Sequence, residues 1–240
     1  MDRFVFSFLC MVSITFALHI PSYIKPCKKN DPNLNDCALK QTKLAFPFVS
    51  KGDKQFKARP LNPFFLPFLE VDAGANLELK LINLTVNGLD NIEFKTVNYD
   101  IENNKSRFIM SSTLNFVGKY EINGQILVLP IRGDGNCNIT FSDGDFIYDT
   151  YWTFVEKNSQ QFAKINNTKL DMKLKRAHFN FENLFNGDKL LGDNMNKVLN
   201  DNWEDVMKEI GPGITHTLDV VATSILKAYF ENIPYEEMFV

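Results

Sequence analysis

The chain has 240 residues, with 26 Lys and Arg against 29 Asp and Glu and a formal net charge of −3. A mildly acidic chain without a basic block has no electrostatic footprint for nucleic acid and no charge-driven pull toward anionic membranes. Phe dominates the aromatics, 22 against 7 Tyr and 2 Trp; it brings large apolar area with no polar group to satisfy, which suits a big core and a hydrocarbon-lined cavity equally well.

Residues 1–17 read as a secretory signal. Asp2 and Arg3 form a short charged start, Phe4 to Leu9 and Met11 to Ala17 supply the apolar run, and Thr15-Phe16-Ala17 is a small-residue cleavage site. The run falls short of the ~20 residues that span a bilayer, and no later run is long enough. The mature chain, about 220 residues read as a single domain over 18–240, is therefore expected to be secreted, extracellular and without stable membrane insertion. Cys10 leaves with the signal. Of the remaining cysteines, Cys27 and Cys37 flank the turn KKNDPNLND and are expected to form a disulfide. Cys137 is left over, in the strand-like CNITF, and is expected to be buried and inert.

A first helix is expected from Asp31 as N-cap and Pro32 at the first helical position to Lys51-Gly52. Leu34, Cys37, Leu39 and Leu44 give it a partial apolar face. The next stretch, RPLNPFFLPFLEV, has three prolines, which exclude a regular helix or a central strand. It reads as an extended segment laid across a surface or lining an opening.

From about residue 76 to 182 the pattern is strands. Phe108, Met110, Leu114, Phe116, Tyr120 and Ile122 keep one parity with polar residues between them, a half-buried antiparallel pattern. Asn87-Gly88, Asn123-Gly124, Gly133-Asp134-Gly135 and Asp143-Gly144-Asp145 mark turns or bulges. Parity flips across Gly124, and again between Leu174 and Ala177, which predicts bulges and a strongly curved sheet. Four Asn-x-Ser/Thr sequons occur, at Asn83, Asn104, Asn138 and Asn166. Strand phase points Asn83 and Asn138 outward, as a glycan requires.

In the last segment Met195, Val198, Leu199, Trp203, Val206 and Ile210 recur three or four apart, and the stripe resumes at Ile214, Leu218, Val221, Ile225, Leu226 and Tyr229. The stripe drifts across Gly211-Pro212-Gly213 without changing face. This predicts one helix of about 35 to 40 residues bent near Pro212, with two separate helices as the alternative. A helix of that length needs a large apolar cover. The expected architecture is α+β: a long bent C-terminal helix wrapped by a highly curved antiparallel sheet, with an internal hydrophobic tunnel.

No catalytic constellation assembles. His19, His178 and His216 are not spaced as metal ligands. Asp134, Asn136 and Asn138 mimic the start of a calcium loop, but Ile139 stands where that loop needs Gly. Asp143, Asp145 and Asp149 read as exposed turn acids. No GxSxG elbow or cysteine–histidine pairing occurs. No enzyme activity, cofactor or metal is expected. What remains is apolar surface on opposed elements. The tunnel candidates are Phe64 and Phe68 from the proline-rich segment, then Ile82, Leu84, Phe94, Phe116, Tyr120 and Ile122. Ile139, Phe141, Trp152, Phe179 and Phe181 continue the strand faces, and Trp203, Val206, Ile210, Ile214 and Leu218 supply the helix stripe. Tyr120, Tyr148, Tyr151 and Trp152 are candidate polar anchors. A buried ligand methylene contributes ~0.8 kcal/mol, and a few polar groups fix orientation.

Several stretches together resemble the insect Takeout and haemolymph juvenile-hormone-binding protein family. They are the Cys27/Cys37 pair with DCALKQ, LTVNGLDN, GKYEINGQILVLPIRGDGNCNIT, HFNFENLFNGDKLLGDNMNKVLNDNW and ENIPYEEMF, in that order along the mature chain. The resemblance implies a TULIP-like lipid-binding fold, secretion, no catalysis, and small lipid ligands: juvenile hormone, other terpenoids or fatty-acid-like molecules. Asn62-Pro63 departs from the Asp-Pro common in the family, and one leftover cysteine cannot form the second disulfide of the high-affinity hormone carriers. The chain therefore looks like the Takeout branch, associated with circadian, feeding and chemosensory physiology. The expected function is a secreted, monomeric carrier of a small hydrophobic ligand, with room for an unidentified protein receptor. The alternatives are an extracellular signalling or interaction glycoprotein with a solid core, and a secreted lipid esterase.

Overall fold

The computed structural model describes residues 18–240; the secretory-signal reading over 1–17, Cys10 included, lies outside the described residues. Helix α1 (Leu34–Val49) comes first. Seven strands follow: β1 (Phe64–Asp72), β2 (Leu77–Asn87), β3 (Glu93–Asp100), β4 (Lys105–Ile126), β5 (Leu129–Lys157), β6 (Gln160–Lys173) and β7 (Arg176–Phe181). Helices α2 (Lys189–Asp201), α3 (Trp203–Phe230) and α4 (Tyr235–Met238) complete the chain.

The strands form one antiparallel sheet around a long two-stranded ribbon of β4 and β5, paired from Lys105 with Tyr151 to Ile126 with Leu129. Two shorter strands share each outer side of the ribbon. Along β4, β3 pairs with the start and β2 with the remainder. Along β5, β7 covers Cys137–Ser142 and β6 takes over from Asp145. Both handovers fall where the ribbon's own register shifts, between Ser112 and Leu114 on β4 and between Gly144 and Phe141 on β5. Asp143, with φ 49°, takes up the extra residue. This bulge divides the sheet into two halves.

The first parity flip has a different origin from the bulge expected at Gly124. The chain reverses there in a two-residue hairpin, with Leu127 and Val128 both left-handed at φ 50° and 63°. Asn123-Gly124 lies inside β4 rather than in a turn, because β2 runs close by: a Cβ on Gly124 would stand 2.2 Å from the Asn76 carbonyl oxygen. Gly133-Asp134-Gly135 likewise lies within β5. The second flip is the crossing from β6 to β7, two strands that pair with successive parts of β5.

The proline-rich segment becomes the edge strand β1, and Pro67 faces the β2 irregularity at Asn83 without a register partner. At the other side of the sheet α2 covers the edge of β7. Asn196 and Asn200, one helical turn apart, each bond both backbone groups of Phe181 and Phe179, at 2.7–2.9 Å. Four helical residues rise about 6 Å, close to two strand residues, so the two amides match the strand repeat and close an otherwise open edge.

The C-terminal stripe is interrupted at Asn202, ten residues before the expected place, and α3 runs unbroken through Pro212. Pro212 stands on the exposed side of the helix, as does Lys208, whose carbonyl it leaves without its helical donor. Gly213 serves contact rather than a break: a Cβ there would lie 2.7 Å from the Asp72 nitrogen and 2.9 Å from its oxygen. The 28 residues of α3 span roughly 42 Å at 1.5 Å each. The helix touches β1 on one edge of the sheet and β6 and β7 on the other. One helix meeting both edges requires a sheet curled around it. The fold is α+β, as expected.

The Cys27–Cys37 disulfide is formed, with Cα atoms 6.0 Å apart, and ties the N-terminal arm to α1. That helix starts at Leu34, later than expected: the Asp31 carboxylate accepts from the Asn33 N–H at 2.8 Å and shapes the turn before the helix instead of capping it.

Candidate functional site

A cavity of about 290 Å³ lies beneath α1, between the sheet and the C-terminal half of α3. Its sheet wall carries Phe94 from β3, Phe108, Met110 and Leu114 from β4, Phe146 and Tyr148 from β5, and Leu170 from β6. The α3 wall runs from Leu218 to Phe230, and α1 roofs the space with Ala38, Gln41, Thr42, Ala45 and Phe46. Ile24, Lys25 and Cys27 of the N-terminal arm and Met238 and Phe239 of the C-terminal tail border one end. Space remains because large rings on the sheet face Ala38, Ala45 and Ala222 on the helices, too short to fill the gap. The volume is near the lower end of the ~300–1,000 Å³ usual for small-molecule pockets.

The two closing segments are fastened to each other. Cys27 pairs with Phe239, and Lys29 N–H donates to the Val240 carbonyl at 2.7 Å. Glu237 accepts from the Ile20 N–H at 2.9 Å and meets His19 Nδ1 at 2.8 Å. Tyr23 stacks on Phe48 of α1 with ring centroids 5.4 Å apart.

Polar groups on the wall are few, and Lys25 is the one charged side chain among the described lining residues. The Tyr148 hydroxyl bonds Thr223 at 2.8 Å, Thr223 bonds Thr168 at 3.0 Å, and Thr168 donates to the Asp219 carboxylate at 3.1 Å. Tyr229 contacts Tyr23 at 3.4 Å, and Tyr23 donates to Asp53 at 2.7 Å. Ser112 donates to the Gly88 carbonyl at 2.8 Å. Burial pushes the Tyr148 phenol up to about 12.

Of the tunnel candidates, Phe94 and Leu218 border this cavity. Phe64, Leu84, Phe116, Tyr120, Ile122, Ile139, Phe141, Phe179, Phe181, Val206, Ile210 and Ile214 lie in the buried core, away from it. There the Gly213 contact brings α3 onto β1. Phe68 is exposed and Ile82 half-buried on the edge pair. Trp203, with the Arg176 guanidinium over its ring, borders an open groove between α3 and β6. Trp152 sits in a separate cluster with Leu34, Tyr235 and Phe239. Among the four candidate anchors, Tyr148 alone reaches the cavity; the Tyr120 hydroxyl is spent on the Glu182 carbonyl at 2.6 Å. The roof of α1 and Ala222 of α3 were missed. Their signal is small residues on otherwise apolar helix faces.

None of the three histidines lines the cavity, and all are exposed. Among the described residues no group of three or more His, Cys, Asp or Glu could hold a metal, and no helix is long and apolar enough to cross a membrane. Asp145 and Asp149 pair with Lys95 and Arg107, each at 2.6 Å, as surface ion pairs. Cys137 is buried and free, its thiol pushed up to about 11 by burial. The sequons Asn83, Asn138 and Asn166 are exposed, and Asn104 is half-buried.

Known proteins share this architecture. The curated sequence of the circadian clock-controlled protein daywake from Drosophila melanogaster is 27% identical over 235 residues, covering 91% of this chain and 88% of its own. That of Drosophila yakuba is 26% identical over 232 residues, with the same coverage. The crystal structure of Epiphyas postvittana Takeout 1 matches with a TM-score of 0.82 over 90% of this chain and 99% of that one, at 22% identity, a likeness of fold. The family model for Haemolymph juvenile hormone binding protein (JHBP) matches residues 5–240. The chain belongs to the haemolymph juvenile hormone binding protein family.

Proposed function

We propose that this chain is a secreted, non-catalytic carrier that holds one small hydrophobic ligand, a terpenoid such as juvenile hormone or a fatty-acid-like lipid, in the cavity under α1. The observation that carries the reading is the cavity itself: about 290 Å³ of space walled by Phe, Leu, Ile, Val and Ala side chains in the interior of the fold. Each ligand methylene moved from water into it contributes ~0.8 kcal/mol. The remaining work is orientation, which one or two wall hydroxyls supply. Family membership supports the same reading. Secretion, glycans at the exposed sequons and a monomeric state belong to it as further proposals.

The test is native mass spectrometry of the secreted protein, followed by organic extraction. A co-purifying lipid near one per chain is the expected result. A protein that is empty and takes up neither terpenoids nor fatty acids from a panel would overturn the carrier reading.

A further inference from the structure

The net charge of −3 conceals a division. Residues 18–60 carry nine Lys and Arg against three Asp, a net of +6, while residues 61–240 carry 16 against 25 Asp and Glu, a net of −9. The absence of a charge-driven pull toward anionic membranes, expected from the whole-chain charge, therefore does not hold for the first segment. The fold gathers that segment at one place. The Cys27–Cys37 disulfide joins the N-terminal arm to α1, Tyr23 of the arm stacks on Phe48 and donates to Asp53 at 2.7 Å, and the Leu61 N–H donates to the Ser50 carbonyl at 2.8 Å. Among the described residues none of the nine cations forms an ion pair, whereas seven of the 16 elsewhere do.

Helix α1 has two faces. One roofs the cavity. The other shows Lys40, Lys43, Leu44, Pro47, Phe48 and Lys51, all exposed, at the three- and four-residue spacing of a single stripe. Leu44 and Phe48 stand one turn apart at 56% and 52% exposure, with lysines before and after them. Asp36, the one acid of the helix, precedes Lys40 by a turn and forms no ion pair with it. An acidic protein would match the lysines but has no need of the leucine and the phenylalanine between them. An anionic bilayer uses both: apolar side chains enter the acyl boundary, and flexible lysine stems keep their ammonium groups at the phosphates.

We propose that the outer face of α1, with the arm and the 51–59 loop beside it, docks reversibly on an anionic lipid surface. The docked face is the back of the cavity roof, so an apolar ligand passes between cavity and bilayer with little exposure to water. The docking stands on charge and exposure alone; this use of it rests on the carrier reading.

The test is co-sedimentation of the mature chain with phosphatidylcholine vesicles, with and without about 30% phosphatidylserine. Partitioning onto the anionic vesicles is expected to be about tenfold stronger or more, and to fall away near ~1 M salt. Lys40→Gln, Lys43→Gln and Lys51→Gln together should remove about tenfold or more of it, and Leu44→Ser alone a few-fold, with the melting temperature held because all four side chains are exposed. Removing the same charge around β6, by Lys164→Gln, Lys173→Gln and Lys175→Gln, should change it by less than about twofold. Equal partitioning onto both kinds of vesicle, or equal effects of the two triple substitutions, would overturn the proposal. Retention by soluble polyglutamate through Lys40, Lys43 and Lys51, without vesicle binding, would overturn it in favour of an acidic protein partner. No docking with uptake of an apolar probe intact leaves the carrier reading standing; docking without uptake would overturn the carrier reading alone.

Discussion

The two halves of the β4–β5 ribbon are built from the same kinds of residue and end differently. In the half bordered by β1, β2 and β7, the first part of α3 lies directly on the strands, and Tyr120, Phe141, Phe179, Ile139 and Ile210 are almost completely buried against one another. In the half bordered by β3 and β6, α1 is inserted over the sheet, alanines face the rings, and the cavity remains. The difference lies in how near the helix backbone can come. A glycine lets α3 touch β1 in one half; in the other, α3 runs along β6 while α1 covers β3, and the side chains between them leave the space unfilled. Apolar content alone does not separate a core from a binding cavity.

Removing the close contact should have the largest effect. Gly213→Val places atoms within 3 Å of the Asp72 backbone, which cannot swing aside like a side chain. A loss of about 3 kcal/mol or more is expected in denaturant unfolding. A loss below ~1 kcal/mol would mean that the helix can lift off and that the packed half is not rigidly closed.

The disulfide acts on the other half. Cys27→Ser frees the arm that borders the cavity and should lower stability by about 2–3 kcal/mol for a loop of this length on the chain-entropy model. An unchanged melting temperature would show that the tail contacts hold the arm without it.

Filling the cavity separates binding from folding. Ala222→Phe places a ring where the wall is recessed and should abolish uptake of an apolar probe, with stability changed by no more than ~1 kcal/mol. Ile214→Trp, in the packed half, should do the reverse, costing about 1–3 kcal/mol through overpacking while the remaining folded protein still takes up ligand. Equal effects of the two on binding would erase the distinction between the halves.

The smallest effect is expected on the outer face of the cavity wall. Asp149 receives two bonds from Arg107, which hold its carboxyl below the usual carboxylate range. With the folded value depressed, its contribution is fully present above the unfolded value near 3.9 and is lost as pH falls through the folded value. Asp149→Asn should therefore cost under about 1 kcal/mol at neutral pH and nothing in strong acid, with ligand affinity unchanged. A stability difference that persists in strong acid would point to packing rather than charge.

Local chemistry made much of this legible in the sequence. Alternating apolar residues define strands because a pleat places every second side chain on one face, and a stripe at three- and four-residue spacing defines a helix for the corresponding reason. Both depend on neighbours in the chain. So does the short Cys27–Cys37 loop, whose two thiols cannot be far apart. Parity flips located the places where the strand pattern changes, but a flip looks the same whether the chain bulges, reverses or moves to a new partner. Leu127-Val128 turned without the usual turn residues, while Asn123-Gly124 did not turn.

What the tertiary structure alone decided was distance between elements far apart in sequence. Whether Gly213 breaks a helix or lets it touch Asp72 depends on where β1 runs. Whether Tyr148 is core or cavity wall depends on α1, more than a hundred residues earlier, and on the alanine at position 222. The partners of the Tyr148 hydroxyl network, Thr223 and Asp219 on α3 and Thr168 on β6, are likewise brought together only by the fold. The sequence determined which residues are apolar and how each segment is shaped. Only the packing of those segments decided where space is left between them, because a cavity is a property of opposed surfaces and belongs to no single stretch of chain.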